Sequence, residues 1–235
     1  MSASLAFRTE TTQRRGAQVG ATRTTERPDE LAALDRIGTV VGLRREESLF
    51  YEGDPADYYF KVVSGAVRSC KLLADGRRHI GDFFLPGDFI GLDAETDYTF
   101  SAEAVTETTV VRYSRRSVDA LAWQEPKIGR RLLSIVCHEL SAAQGRMLLL
   151  SRKSADERIA SFLLGLAGRS GGVDRVALPM TRTDIGDHLG LTMETVSRAL
   201  SQLKHDGVIA LVNSHEVVIR DRDALEDKAE AGMTV

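Results

Sequence analysis

The stretch Met180-Thr-Arg-Thr-Asp-Ile-Gly-Asp-His-Leu-Gly-Leu-Thr-Met-Glu-Thr-Val-Ser-Arg-Ala-Leu-Ser-Gln-Leu203 decides how the chain is read. Its pattern predicts two short helices joined by a tight turn. Thr181 and Asp184 form a Thr-x-x-Asp start signal, in which a hydroxyl and a carboxylate satisfy the first backbone N–H groups of a helix. Gly190 suits the left-handed residue that ends that helix, and Thr192 caps the next. Val196, Leu200 and Leu203 recur at intervals of four and three, so they share one buried stripe. Glu194, Ser197 and Arg198 fall on the other side, with Glu194 and Arg198 one turn apart. A short helix, a glycine turn and a second helix with polar groups near its N-terminus make a helix-turn-helix, whose second helix enters the DNA major groove N-terminus first. The competing reading is an ordinary helical hairpin with a solvated charge pair.

On the C-terminal side, residues 207–212 and 215–220 read as two strands around Asn213-Ser214, a hairpin that adds a wing to the helices. The acidic end, residues 223–235, reads as a flexible tail. On the N-terminal side, Val176–Leu178 is a short strand preceded by a glycine-rich loop at 169–174. Ser154-Ala-Asp-Glu157 is another capping signature. It opens a helix to about Gly168 with Ile159, Phe162, Leu163 and Leu166 as its buried stripe. Residues 152–222 thus form one winged helix-turn-helix domain.

Residues 116–151 are helical in pattern. Ser117–Trp123 makes a short helix, and Pro126 stands near the start of a longer one. Leu133, Val136, Leu140, Ala143, Met147 and Leu150 repeat at 3-4-3-4-3, an unbroken a/d seam. Ile128, Leu132, Ile135 and Leu149 make a second stripe. A helix apolar on two sides needs two partners. One solution pairs it with its own N-terminal domain and with the same helix of a second subunit; the other buries it within one chain. The polar flanks Arg130, Arg131, Glu139, Gln144 and Arg146 favour the homodimer.

Residues 28–115 hold a short helix (Asp29–Ile37) and then strand-like runs at Thr39–Leu43, Tyr58–Val63, Ala66–Leu72, His79–Phe84, Phe100–Val105 and Thr108–Tyr113. Glu52-Gly-Asp-Pro, Ser64-Gly, Ala74-Asp-Gly and Pro86-Gly-Asp separate them. Many short strands with regular glycine turns mean an antiparallel sandwich or barrel. The class is α+β. Residues 1–27, rich in Thr, Ser and Arg and without periodicity, read as a disordered tail; its arginines Arg8, Arg14, Arg15, Arg23 and Arg27 are within the chemistry of phosphate contact.

Composition narrows the functional classes. With 235 residues, 43% hydrophobic and 28% charged, the chain has room for two globular domains. No apolar run reaches membrane-span length and no signal-peptide core is present, so a cytoplasmic location without membrane association is expected. Two cysteines, Cys70 and Cys137, form no metal set, and the five histidines are scattered. No cofactor or metal is therefore expected. No nucleophile–base motif or phosphate loop points to an enzyme. The net charge of −3 does not advertise nucleic-acid binding, so that reading rests on the motif.

This order of parts resembles the CRP/FNR bacterial transcription regulators over about residues 28–222. Glu194-Thr-Val-Ser-Arg198 resembles the E-x-x-S-R pattern of the FNR class, as does the junction Leu148-Leu-Leu-Ser-Arg-Lys-Ser-Ala-Asp-Glu-Arg158. Asp184-Ile-Gly-Asp-His-Leu-Gly-Leu-Thr-Met-Glu-Thr-Val-Ser-Arg198 with Asn213-Ser-His-Glu216 looks most like the FixK branch. The resemblance implies a cyclic-nucleotide-binding-like β-barrel (a jelly roll), a dimerisation helix and a winged helix-turn-helix. It further implies an activator of low-oxygen genes, including nitrogen fixation, that works with RNA polymerase. The half-site implied is TTGAT, repeated as TTGAT-N4-ATCAA.

Departures from the family pattern matter as much. FNR proteins hold an iron–sulfur cluster through an N-terminal cysteine group and one barrel cysteine; residues 1–50 here have none, and Val111 takes the barrel position. Cyclic-nucleotide binders use a Gly-Glu pair and an Arg-Ser/Thr-Ala triplet. Here Gly87-Asp88 is followed by Phe100-Ser101-Ala102, with Phe100 at the arginine position, and a buried cyclic phosphate would lack its counter-charge. The alternative is a small-molecule-gated regulator with a different effector in the barrel.

Base-edge chemistry assigns roles to three residues. Arg198 can grip guanine O6/N7, Glu194 can accept from cytosine N4, and Ser197 is short enough to meet a thymine methyl or a base edge. Thr181, Arg182, Thr183 and Thr192 are candidate phosphate contacts, which position without specifying sequence.

Overall fold

The computed structural model describes residues 31–230 apart from 32, 95 and 153, and leaves out the side chains of 148, 149, 151 and 152. The tail read at 1–27, the start of the helix read from Asp29 and the Leu149 member of the second stripe lie outside the described residues.

A 3-10 turn, Leu34–Arg36, precedes the N-terminal domain. Eight strands follow: β1 (Thr39–Leu43), β2 (Ser48–Phe50), β3 (Tyr58–Ser64), β4 (Val67–Leu72), β5 (Arg78–Phe84), β6 (Phe89–Ile90), β7 (Ser101–Ala104) and β8 (Thr108–Ser114). They form two four-stranded antiparallel sheets, ordered β1-β8-β3-β6 and β2-β7-β4-β5. Alternation drives the packing: Phe60 and Val62 of β3, Val110 of β8 and Ala102 and Ala104 of β7 all point between the sheets, where they are buried with Phe50, Val67, Ile90, Ala94 and Tyr98. The sandwich expected from the turn spacing is present. β2 and β6 escape the sequence reading because three and two residues show no period, and both residues of β6 are buried.

Helix α1 (Arg115–Gln124) leads into the 27-residue α2 (Pro126–Arg152). One side of α2 meets the barrel as anticipated: Ile128 is buried, and Leu132 and Ile135 pack beside Leu34, Phe89, Tyr113 and Val118. The other side is bare. Leu133, Val136, Leu140 and Met147 are 37–71% exposed, whereas Ala143 and Leu150 are half-buried. Cys137, next to Val136, is exposed. Cys70 is buried; burial, with the field of Glu103, pushes its thiol up to about 11, which keeps it protonated and unreactive.

The C-terminal domain comprises α3 (Ala155–Arg169), β9 (Arg175–Ala177), α4 (Arg182–Leu189), α5 (Met193–His205), β10 (Ile209–Asn213), β11 (Glu216–Ile219) and α6 (Arg222–Glu230). Its sheet runs β10-β11-β9. The hairpin turn falls at Ser214-His215, one residue later than expected. Asn213 belongs to β10, and its side-chain carbonyl accepts the His215 N–H at 2.7 Å.

The flexible tail read at 223–235 is a misreading over residues 223–230. These form α6, which packs on α3. The Asp221 carboxylate accepts the Ala224 N–H at 2.9 Å as a cap. Leu225 and Ala229, four apart, are buried, and Lys228 pairs with Asp206 at 2.9 Å. Two apolar residues in an acidic run are too sparse to register as a stripe, yet they suffice once α3 supplies a surface.

The two domains share one apolar cluster. Ala66, Cys70, Ile80 and Phe83 of the barrel are continuous with Ile159, Leu163, Ile185 and Leu189 of the C-terminal domain. His188 sits inside this junction, its ring edge-on to Phe83 with centroids 5.3 Å apart, and its Nδ1 lies 3.1 Å from the Ile80 carbonyl oxygen. Burial drives its pKa below the ordinary histidine value, so it is held neutral.

Candidate nucleic-acid interface

Two caps set the ends of the helices. Thr181 Oγ1 accepts the Asp184 N–H at 3.1 Å, and Asp184 Oδ2 accepts the Thr181 N–H at 3.0 Å, a complete capping box for α4. Thr192 Oγ1 accepts the Thr195 N–H at 3.2 Å and caps α5. Between them the chain turns at Gly190, whose φ of 66° is left-handed. Gly186 makes the turn possible in a second way: a Cβ there would lie 2.6 Å from the Leu191 carbonyl oxygen. This role of Gly186 is not legible in the sequence, because a glycine inside a helix carries no local signature of close approach.

α5 is anchored by Val196, Ala199, Leu200 and Leu203, all buried. Its opposite side carries Glu194 and Arg198, exposed, and Ser197, half-buried, so the three residues assigned to base reading share one surface. Glu194 and Arg198 do not touch. The Glu194 carboxyl is held below the usual carboxylate range by its own backbone N–H and the Thr192 hydroxyl, with a smaller contribution from the Arg198 charge. Arg198 Nη2 leans on Thr195 Oγ1 at 3.4 Å.

Among the residues assigned to phosphates, Thr183 is exposed. The hydroxyls of Thr181 and Thr192 are engaged as caps. Arg182 Nη1 donates to Ser197 Oγ at 3.1 Å.

The motif is bolted to the barrel at Asp184. This residue is 2% exposed. While Oδ2 serves the cap, Oδ1 accepts from Arg68 Nη1 at 3.1 Å and from Arg78 Nη2 at 2.6 Å. Arg68 in turn binds Glu103 at 2.8 Å, and Arg78 binds Asp187 at 2.9 Å. At the far end of α4, Arg158 donates to the Leu189 carbonyl at 2.9 Å, and through its other nitrogen to the Leu150 carbonyl at 2.9 Å. Both ends of the first helix of the motif are therefore fixed by groups outside it. None of these pairs is visible in sequence.

The fold of the barrel raises the question of a cyclic nucleotide, and the residues present do not fit one. Phe100, which the resemblance puts at the arginine position, has its ring against Gly81. The nearby cation, Lys71, is paired with Glu52 at 2.7 Å. The Asp88 carboxylate accepts the Leu85 N–H at 2.7 Å and is salt-bridged to Arg169 of α3. Tyr98 stacks on Phe50 at 3.6 Å between ring centroids and donates its hydroxyl to the Tyr58 carbonyl at 2.6 Å. Among the described residues, no cluster of three His, Cys, Asp or Glu side chains could hold a metal, and no helix is long and apolar enough to cross a membrane.

Residues 157–228 match the Crp-like helix-turn-helix domain, and residues 40–124 match the cyclic nucleotide-binding domain. The chain is 46% identical over 204 residues to the nitrogen fixation regulation protein FixK of Azorhizobium caulinodans, covering 85% of this chain and 82% of that one. It is 36% identical over 209 residues to the transcriptional activator protein FnrL of Cereibacter sphaeroides, covering 86% and 84%. The solved structure of FixK2 from Bradyrhizobium japonicum superposes with a TM-score of 0.77 at 43% identity, covering 81% of this chain and 96% of that one.

Replacing Asp184 by Asn keeps the shape of the cap but leaves Arg68 and Arg78 facing a neutral amide. Arg68 keeps Glu103 and Arg78 keeps Asp187, so the loss is that of hydrogen bonds to a charged group rather than of a fully unpaired buried ion. Urea unfolding of Asp184→Asn is expected to show a loss of about 1.5–3 kcal/mol relative to wild type; a loss below about 1 kcal/mol, the scale of an exposed pair, would contradict the junction described.

Proposed function

The chain belongs to the Crp/Fnr family of transcription regulators, among its FixK- and FNR-type members, and from that premise we propose that it acts as a homodimer on a two-fold DNA site of the TTGAT-N4-ATCAA type. It is a DNA-binding regulator through its helix-turn-helix. The observation that supports the site assignment is the surface of α5: Glu194, Ser197 and Arg198 face away from the buried stripe on a helix capped at both its own start and that of its partner. In this reading Arg198 donates to guanine O6/N7, Glu194 leaves its cap to accept from cytosine N4, and Ser197 meets the neighbouring base. Thr183 is the freest of the residues assigned to phosphates.

The bare seam of α2 supports the dimer. Four large apolar side chains at a/d spacing stay in water in the single chain, and the same face of a second copy would cover them. A two-fold dimer then requires a palindromic site with half-sites about one helical turn apart. By relation to proteins named for nitrogen fixation and transcriptional activation, its regulated genes are those of low-oxygen metabolism, such as nitrogen fixation or microaerobic respiration, activated through contact with RNA polymerase in the cytoplasm. It is a regulator with no catalytic role. A gating effector is not part of this reading, because Tyr98, Ala94, Phe50 and Phe60 fill the barrel interior themselves.

Two outcomes follow. Leu140→Glu places like charges across the seam, and sedimentation at micromolar concentration is expected to give a dimer for wild type and a monomer for the variant, with weakened DNA binding; a monomeric wild type would contradict the seam's role. Arg198→Ala is expected to lose about 1–3 kcal/mol per half-site and to relax the preference for the guanine of TTGAT. Binding measured on the palindrome and on variants at that pair checks this, and an unchanged preference removes the assigned contact.

A further inference from the structure

Arg182 is the first residue of α4 and Ser197 lies on the DNA-facing side of α5. The turn between the helices brings them together, so that Arg182 Nη1 donates to Ser197 Oγ at 3.1 Å. We propose that Arg182 is a positioning residue for base readout: it fixes the Ser197 hydroxyl as a hydrogen-bond donor aimed at an acceptor on the base edge. The proposal rests on the DNA-reading role of α5 given above.

A serine hydroxyl has one proton and two lone pairs, and it ordinarily rotates to suit either a donor or an acceptor. By itself such a group discriminates poorly between bases. Here one lone pair is occupied by a guanidinium, which stays protonated at any physiological pH. The positive charge turns the O–H proton away from itself. Helical serines commonly send that proton back to the carbonyl four residues earlier, as Ser141 does to Cys137 and Ser201 does to Ser197. Among the described residues Ser197 makes no such bond, and its contact with Arg182 is the one hydrogen bond its hydroxyl forms. The proton is left for the groove.

A hydroxyl held in this way prefers thymine O4, guanine O6 or a purine N7. The exocyclic amino groups of adenine and cytosine present protons of their own and meet it unfavourably. The same contact separates Arg182 from a simple phosphate clamp. A phosphate contact would strengthen binding to every sequence alike, whereas a positioning contact shows itself at one base pair and only while Ser197 is present.

The test is a double-variant cycle read on DNA. Wild type, Arg182→Ala, Ser197→Ala and the double variant are titrated by fluorescence anisotropy against TTGAT-N4-ATCAA and against a panel in which each half-site base pair is changed symmetrically. Ser197→Ala is expected to reduce the preference at one base pair by about threefold to tenfold per half-site, the effect of one hydrogen bond. Arg182→Ala is expected to reduce the preference at that same pair to a similar degree, and the double variant to lose no more there than either single variant. Arg182→Met keeps the length of the stem without the donors and should behave like Arg182→Ala, which separates the lost hydrogen bond from lost packing. A uniform loss across the panel with a shallower salt dependence would identify a phosphate contact and overturn the proposal, as would additive losses at the shared pair. If wild type discriminates among the panel and the Arg182 variants keep its profile, the positioning role alone falls; if wild type binds every duplex equally, the reading of α5 falls with it.

Discussion

A buried carboxylate holds this molecule in its shape. Asp184 is shared between the N-terminus of the first helix of the DNA-binding motif and two arginines on strands of the barrel. Each of its oxygens is used twice. An ionised carboxylate with no such partners would be strongly disfavoured inside the protein. Docking the C-terminal domain on the barrel takes Asp184 out of water, and Arg68 and Arg78 of the barrel then compensate its charge. Because the turn that leads into α5 lies tight against Gly186 of α4, fixing α4 also fixes α5. The placement of the recognition surface is therefore decided by residues more than 100 positions away in sequence.

That distance explains what sequence alone reveals and what it hides. The capping boxes at Ser154 and Thr181, the turn at Gly190 and the buried stripe of α5 are local patterns, and each is legible because its cause lies within one or two turns of helix. The longer strands are legible for the same reason, through alternation. The hidden features depend on partners elsewhere. α6 needs the surface of α3, Arg68 and Arg78 need Asp184, Arg169 needs Asp88, and the bond from Arg182 to Ser197 needs the turn to be folded. β2 and β6 are too short for any period. In the candidate site, the shared face of Glu194, Ser197 and Arg198 is readable from spacing. The bond that ties Arg182 to Ser197 is not.

The barrel has the architecture of a nucleotide-binding domain with a different use of its interior. Tyr98 and its neighbours pack it, Asp88 is committed to α3, and the Phe100 ring lies against Gly81. A ligand changes a conformational equilibrium only by the difference in its affinity for the two states. In the effector-free reading proposed above, the orientation of the helix-turn-helix comes from contacts already within the chain. The shared apolar cluster, the neutral His188 and the ion pairs around Asp184 are those contacts. The seam of α2 faces outward from the same body, so a second copy would set two recognition helices in a fixed relation.

In the reading proposed here, the DNA-reading geometry is built into the chain and needs no effector. Its most direct test is a fluorescence anisotropy titration of a labelled TTGAT-N4-ATCAA duplex, and of a scrambled duplex, with protein freed of metals and nucleotides by chelation and dialysis. Specific binding by this protein is expected, with an affinity unchanged when cyclic AMP, iron or haem is supplied. Specific binding that appears only after one of these is added would contradict it.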